Sequence, residues 1–424
     1  MNARYTYHMM MQGAQRILLH LLCILSSVLS SLSLTSCSIE PPLRLPAQNV
    51  RFDRQAVEVR VDVIWENPSW GYEFLYGWEE ADIAAFGPAE YVKPEDYELR
   101  LYFLGERADA PHTRVAQGIM HKDHFRSLFN YGYHDILAWS NIHTDDNTQA
   151  VLINESLASV DATVTRNNSA PALGSHLRNY LSSSQATIYN QPEVFYSAYL
   201  QNLHITPDPN DYDFYDEASQ CWVKQADMPG APLVYIYLLQ VVLRNNDGRI
   251  KGVNTGAAMT GITDSVNVNY GTTSQHYSSL LFDLGIKHNK VVDEGYLRRH
   301  HSGFQSQCQL GEKVDVLGGR ITTYGLCGMK GFLQERSSKY AGQCPDNQNL
   351  VAIDFMFKND ADSIVTFDIS NQLKNTCHGG VLTIEFDASD IPIPSNPHGG
   401  GSGGSGFDPY IENYRDTTIT EIPM

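Results

Sequence analysis

The sequence predicts an all-β fold assembled from β-sandwiches, and three observations predict it. Apolar and polar residues alternate with a period of two in many short stretches. Turn-forming residues separate those stretches, and hardly any segment carries a helical repeat. The clearest stretch is Val57, Val59, Val61, Val63 and Trp65, interleaved with Glu58, Arg60, Asp62 and Ile64.

Taken in order, the chain opens with an export signal. Arg4 and Arg16 supply a positive start, and no Asp or Glu precedes Glu40. An apolar run from Ile17 to Leu34 ends in Leu34-Thr35-Ser36-Cys37, a lipobox, in which small residues precede a cysteine that is lipidated and becomes the new N-terminus. Residues 1–36 are therefore expected to be a lipoprotein signal peptide, with diacylglycerol and palmitate carried on Cys37 as the lipid attachment site. Its apolar core is short and serine-rich for a retained membrane span. Residues 37–52 follow as a lipidated spacer, kept extended by Pro41, Pro42 and Pro46.

After the first strand, Leu99–Phe103, Val160–Val164 and Phe195–Ile205 repeat the alternation. His121–Tyr131 is the best helix candidate in this half. Further strands are expected at Leu233–Arg244, Ile262–Asn269, His276–Leu284, Val314–Tyr324, Leu350–Phe357, Ile364–Ile369 and Val381–Phe386. Asn245-Asn246-Asp247-Gly248 supplies residues that tolerate positive φ between two of them. The polar stretch Pro207–Glu217, followed by Pro229–Pro232, is the expected linker zone. It divides the body into domains at 53–210 and 211–424, the second with a Gly-rich loop at 399–406.

Composition narrows the function. The 424 residues carry a formal net charge of -18, and loss of 1–36 removes two positive charges and takes it to -20. Such an acidic body lacks the basic footprint that nucleic acid requires. The mature cysteines besides Cys37 are Cys221, Cys308, Cys327, Cys344 and Cys377. Five allow at most two internal disulfides, most plausibly among the last four. No CxxC pair or zinc spacing occurs, so neither metal nor other cofactor is expected.

Trp70, Tyr72, Phe74, Tyr76 and Trp78 fall on every second residue. On a strand that would set five rings on one face, either as a glycan platform (Trp70, Tyr72, Tyr76 and Trp78 being the contacts) or as a buried sheet face. Burial is preferred, because large apolar surfaces usually go to the core. His121 and His124 have a metal-compatible spacing, but no HExxH glutamate follows, so surface histidines are the preferred reading. Asp208, Asn210, Asp211, Asp213, Asp216 and Glu217 make a carboxylate-rich loop that departs from the calcium pattern at Tyr212 and lacks its turn glycine. No GxSxG, P-loop or dinucleotide fingerprint is present, and no catalytic residue is assigned.

Four features together resemble the fimbrillin-related two-domain lipoproteins of the Bacteroidetes, a family with a domain of unknown function. They are the lipidated cysteine with its Pro-rich follower, the strand Val61-Asp62-Val63-Ile64-Trp65, the element Tyr76-Gly77-Trp78-Glu79-Glu80, and Gly399–Phe407 leading to Ile419–Met424. The resemblance implies two tandem transthyretin-like, fimbrillin-type sandwiches and no enzyme activity. It implies a place in surface fimbriae as a minor subunit, anchor or adhesin, assembled by β-strand complementation. Subunits of that system are trimmed at a basic residue, for which Arg44, Arg51 and Arg54 are candidates. The expected location is the outer membrane, lipid-anchored and facing the cell surface. Expected partners are the membrane, other fimbrial subunits and host or bacterial surface glycans. The alternative is a glycan-binding outer-membrane lipoprotein of a nutrient-uptake system.

Overall fold

The computed structural model describes residues 57–68, 74–109, 113–140, 149–154, 159–164, 175–182, 187–298, 306–330 and 344–395. Cys37, the three candidate trimming arginines, Trp70, Tyr72, the 399–406 loop and the closing strand lie outside them.

In chain order the strands are β1 (Val57–Trp65), β2 (Asp96–Gly105), β3 (Thr113–His121), β4 (His124–Phe129), β5 (Gly132–Ser140), β6 (Gln149–Asn154), β7 (Ser159–Val164), β8 (Thr187–Tyr189), β9 (Tyr196–Ile205) and β10 (Phe214–Asp216). They continue with β11 (Cys221–Pro232), β12 (Tyr235–Arg244), β13 (Ile250–Thr263), β14 (Ser265–Asn267), β15 (Tyr277–Phe282), β16 (Gly285–Val291), β17 (Lys313–Thr323), β18 (Leu350–Phe357), β19 (Asp362–Asp368) and β20 (Gly380–Asp387). Helices are short: α1 (Glu80–Phe86), α2 (Ser175–Ser182), α3 (Glu294–Leu297) and α4 (Ser370–Thr376). The all-β expectation holds, and no described helix is long and apolar enough to cross a membrane.

The first sheet runs β3-β2-β5-β9-β11-β1-β4, with β10 paired to β11. β1 forms as its alternation requires: Val57, Val59, Val61 and Val63 are buried, whereas Asp62 and Ile64 face water. Only Gly230–Pro232 of β11 pairs with β9, and the rest of β11 runs parallel to β1. Trp65 stacks on Tyr97 of β2 at 4.8 Å and meets Tyr196 of β9 edge-on at 5.4 Å.

The helix expected at His121–Tyr131 is instead the end of β3, a tight turn and β4, two strands that join opposite ends of the first sheet. Lys122 takes a positive φ of 60° in that turn, and β4 pairs antiparallel with β1. Ser127 and Phe129 are buried while Arg126 and Leu128 are exposed, a period of two that outweighs the His121/His124 spacing.

Beyond Pro232 two further sheets, β16-β17-β12-β20 and β19-β18-β13-β15-β8, face each other across one core. Tyr237, Leu239, Val241, Leu317 and Leu382 come from the first, and Met259, Phe282, Ile353 and Phe355 from the second. Fully burying a side chain of this size stabilises by about 1.5–3 kcal/mol before entropy is counted. Asn245, Asp247 and Gly248 take the positive φ expected between β12 and β13. A third set, β14-β7-β6, is smaller.

A division at 210/211 does not describe these sheets. β10 and β11 follow that point yet belong to the first sheet, so the chain leaves it at Leu233–Val234. Pro229–Pro232 is accordingly strand, not linker. In the other direction, β8 joins β15, and Leu177 and Leu181 of α2 pack on Ala258, Leu281 and Ala352. Trp139 and Phe195 likewise share a cluster with Val266, Val268 and Tyr324.

Candidate functional site

The segment after residue 73 is not a strand. It lies across the outer side of β12 and β17 as an irregular strap ending in α1. Leu75 and Tyr76 are both buried, which no period-two strand face permits, and Gly77 turns the chain at φ 70°. Phe74 and Trp78 are half-buried against Ile236, Leu238 and Val381. The Tyr76 ring occupies the space above Gly318, where a Cβ would stand 2.3 Å from its Cδ2. The Leu75 N–H donates to Gln240 Oε1 at 3.1 Å, and Gln240 Nε2 donates to Thr383 Oγ1 at 2.8 Å.

Charge closes the strap. Lys287 of β16 donates to Asp82 Oδ2 at 2.6 Å, stands 3.3 Å from Glu79 Oε1, and lies 4.4 Å from the centre of the Tyr76 ring. The Tyr76 hydroxyl donates to Asp82 Oδ1 at 3.1 Å. Burial, then the Asp82 charge, pushes that hydroxyl well above its ordinary pKa, so it remains a donor. Burial also pushes Asp82 up, but Lys287, the Glu79 N–H and the Tyr76 hydroxyl outweigh it and hold the carboxyl below its usual range. Among the expected glycan contacts, therefore, Tyr76 is core at 2% exposure and Trp78 is half-buried.

The carboxylate-rich segment holds the rings that water does reach. A 3-10 turn at Pro209–Asp211 is capped by Asp208, whose Oδ1 accepts from Asn210 N at 3.0 Å. β10 then pairs with β11 so that Tyr215 opposes Trp222. Trp222, half-buried, meets Tyr215 edge-on at 5.4 Å and Tyr212 near-parallel at 6.1 Å. Tyr215 is 47% exposed and Phe214 39%. Phe214 points to the other face, where Arg60 lies 5.4 Å from its ring centre and bridges Glu58 Oε1 and Asp216 Oδ2, each at 2.5 Å. Asp213 Oδ2 accepts from Gln225 N at 2.6 Å, and Asp211 accepts from the Thr206 hydroxyl. The string Tyr212-Asp213-Phe214-Tyr215 carried this signal, masked by attention to its carboxylates.

Elsewhere the chemistry is structural. His121 pairs with Asp96 at 2.5 Å on the surface, and His124 faces water. Cys344 and Cys377 form a disulfide, while Cys221, Cys308 and Cys327 are free. Burial pushes the Cys308 and Cys327 thiols up to about 12, so neither is a thiolate nucleophile at neutral pH. Among the described residues the one cluster with metal-ligand proximity is Cys344, Cys377 and His378, and its two sulfurs are spent on each other.

No family model and no curated protein matches the chain. Solved structures similar to it include a "putative adhesin" from Bacteroides ovatus, 13% identical, covering 80% of this chain and 95% of that one at a TM-score of 0.39. A second is the fimbrial anchor protein Mfa2 from Porphyromonas gingivalis, 11% identical over 77% of this chain and 90% of that one, TM-score 0.36. A third, from Bacteroides thetaiotaomicron, is described among "putative polysaccharide binding proteins", 8% identical over 78% and 91%, TM-score 0.35. These neighbours are proteins of the Bacteroidetes, as are the fimbrillin-related lipoproteins that the sequence resembles.

Proposed function

We propose that this chain is a non-enzymatic surface lipoprotein of fimbriae, acting as a minor subunit, anchor or adhesin. Its lipid is on Cys37, and its body is two tandem transthyretin-like β-sandwiches that meet after Pro232. The observation that carries the reading is the Leu34–Cys37 lipobox followed by a β-rich body with no catalytic motif. Sheet ends are the working parts. Among the described residues β19 and β20 each end a sheet, and β19 is the edge offered to a donated strand, because the Gln372 side chain takes up the Thr383 N–H and C=O of β20.

The uptake-system alternative has glycan gripped by an exposed aromatic stripe at 70–78 or by loops; the stripe is the part the described residues bear on. Burial of Tyr76, and of much of Phe74 and Trp78, counts against the stripe among the described residues. The deciding experiment shears fimbriae from native cells, probes shaft and cell fractions for the chain, and treats intact cells with protease. Presence in purified fimbriae with surface exposure is the expected result. Exposure without any fimbrial association would sink the reading. Loss of membrane retention in Cys37→Ala tests the anchor.

A further inference from the structure

The chain twice satisfies one arrangement: a cation over an aromatic ring, held between two carboxylates. Lys287 lies over Tyr76 beside Asp82 and Glu79. Arg60 lies over Phe214 between Glu58 and Asp216. In a third set of rings and carboxylates, on the reverse face of the β10–β11 hairpin, the nearby described cation, Lys224, bonds to a main-chain carbonyl and not to a carboxylate.

Tyr212, Tyr215 and Trp222 form one ring cluster. The Tyr212 hydroxyl donates to the Thr206 carbonyl oxygen, the Thr206 hydroxyl donates to Asp211, and Asp208 caps the same turn, while Asp213 precedes Tyr215 by two residues, the interval that shares a strand face. All three carboxylates are exposed, and among the described residues none is in an ion pair. Lys224, the nearby cation, donates to the Asp211 carbonyl oxygen at 3.1 Å rather than to a carboxylate. Tyr215 is exposed, and Tyr212 and Trp222 are half-buried beside it, so the cluster keeps ring surface open to a partner. Its charge selects the occupant, since ring faces beside carboxylates complement guanidinium and ammonium groups.

We propose that the face formed by Tyr212, Tyr215 and Trp222 with Asp208, Asp211 and Asp213 receives arginine or lysine side chains of an extended basic segment on a partner protein. This goes beyond the fimbrial reading and does not depend on it: the lipid, the fimbria and strand donation play no part in the binding.

The test uses the whole mature chain and a fluorescein-labelled peptide of five Gly-Arg repeats, read by anisotropy, with a Gly-Gln peptide and maltohexaose as competitors. The Gly-Arg peptide is expected to bind and to weaken as salt screens the pair. The variant Asp208→Asn/Asp211→Asn/Asp213→Asn should bind roughly tenfold more weakly, and Tyr215→Ala about threefold. The control Asp62→Asn/Asp227→Asn/Asp247→Asn removes the same charge from exposed positions away from these rings and should change affinity less than about twofold. Equal losses in both triple variants would overturn the proposal by showing general attraction to an acidic protein. Absence of Gly-Arg binding would overturn it too. So would displacement by maltohexaose, which would assign the face to neutral sugar. Tyr215→Ala leaves every carboxylate in place and so keeps the test valid if the charge variant fails to fold.

Discussion

Residues 74–82 and 212–222 start from similar material. Each sets rings beside acidic side chains, and each has a cation over one ring, Lys287 in the first and Arg60 in the second. Tyr76 nevertheless ends 2% exposed and Tyr215 47%. What separates them lies far away in the chain. Tyr76 finds Gly318, whose missing side chain leaves room for a ring, and Gln240, whose amide takes up the Leu75 N–H. Among the described residues the hairpin finds no such cover where β10 pairs with β11. Local pattern chooses aromatic residues; a distant surface decides whether they become core.

The sharpest way to break this contrast is to delete the rings. Tyr76→Ala is expected to cost about 3–5 kcal/mol, as for other large buried aromatics, while the half-buried Trp222→Ala costs clearly less. Denaturant unfolding of both variants checks this, and a larger loss at Trp222 would invert the comparison. Next comes the surface beneath. Gly318→Val drives a branched side chain into the Tyr76 ring and should cost about 2–3 kcal/mol. In a Tyr76→Ala background the same change meets empty space, so its cost should shrink. A double-mutant cycle reads that coupling directly, and strict additivity would show that the ring does not rest on Gly318.

Much of the fold was legible for the same physical reason that the strap was not. β1 and β18 have the bounds that the alternation of Val57–Trp65 and the apolar run Leu350–Phe357 suggested, because a half-buried or fully buried strand writes its environment into its own residues. The Phe125, Ser127, Phe129 alternation of β4 was equally present, but the short His-rich string around it also fits a helical turn. Segment 74–78 has strand periodicity without a strand. Its conformation is set by Gly318, Gln240 and Lys287, which no local window contains. Sheet membership follows the same logic: polar composition at 207–217 marks the β10 hairpin and its approach, whereas the passage between sheets is made by the apolar pair Leu233–Val234.

Charge offers a gentler test. Lys287→Met leaves the Asp82 carboxylate, nearly enclosed, without its ammonium, and should cost about 1–2 kcal/mol at pH 7. Because Asp82 is held below its ordinary range, the folded protein gains from its ionised form above about pH 4, where a free Asp titrates. That gain is lost as pH falls through the depressed value. The gap between Lys287→Met and the unaltered protein should therefore narrow in acid, measured as denaturant midpoints at pH 7, 4 and 2.5. A gap that stays constant would mean that Lys287 acts through packing over Tyr76 rather than through charge.

The smallest expected effect falls on the ring most open to water. Tyr215→Ala should change folding stability by no more than about 0.5 kcal/mol, the usual range for surface positions. The side chain touches Trp222 edge-on, and the main-chain pairing of β10 with β11 survives its removal. A ring kept for folding would behave like Tyr76, and one kept for contact with a partner would not. Loss of more than about 2 kcal/mol in a thermal melt would therefore place Tyr215 with Tyr76 as core. A stability near that of the unaltered chain, with weaker Gly-Arg peptide binding, would separate the two roles: the strap's rings hold the protein together, and the hairpin's rings face outward to another molecule.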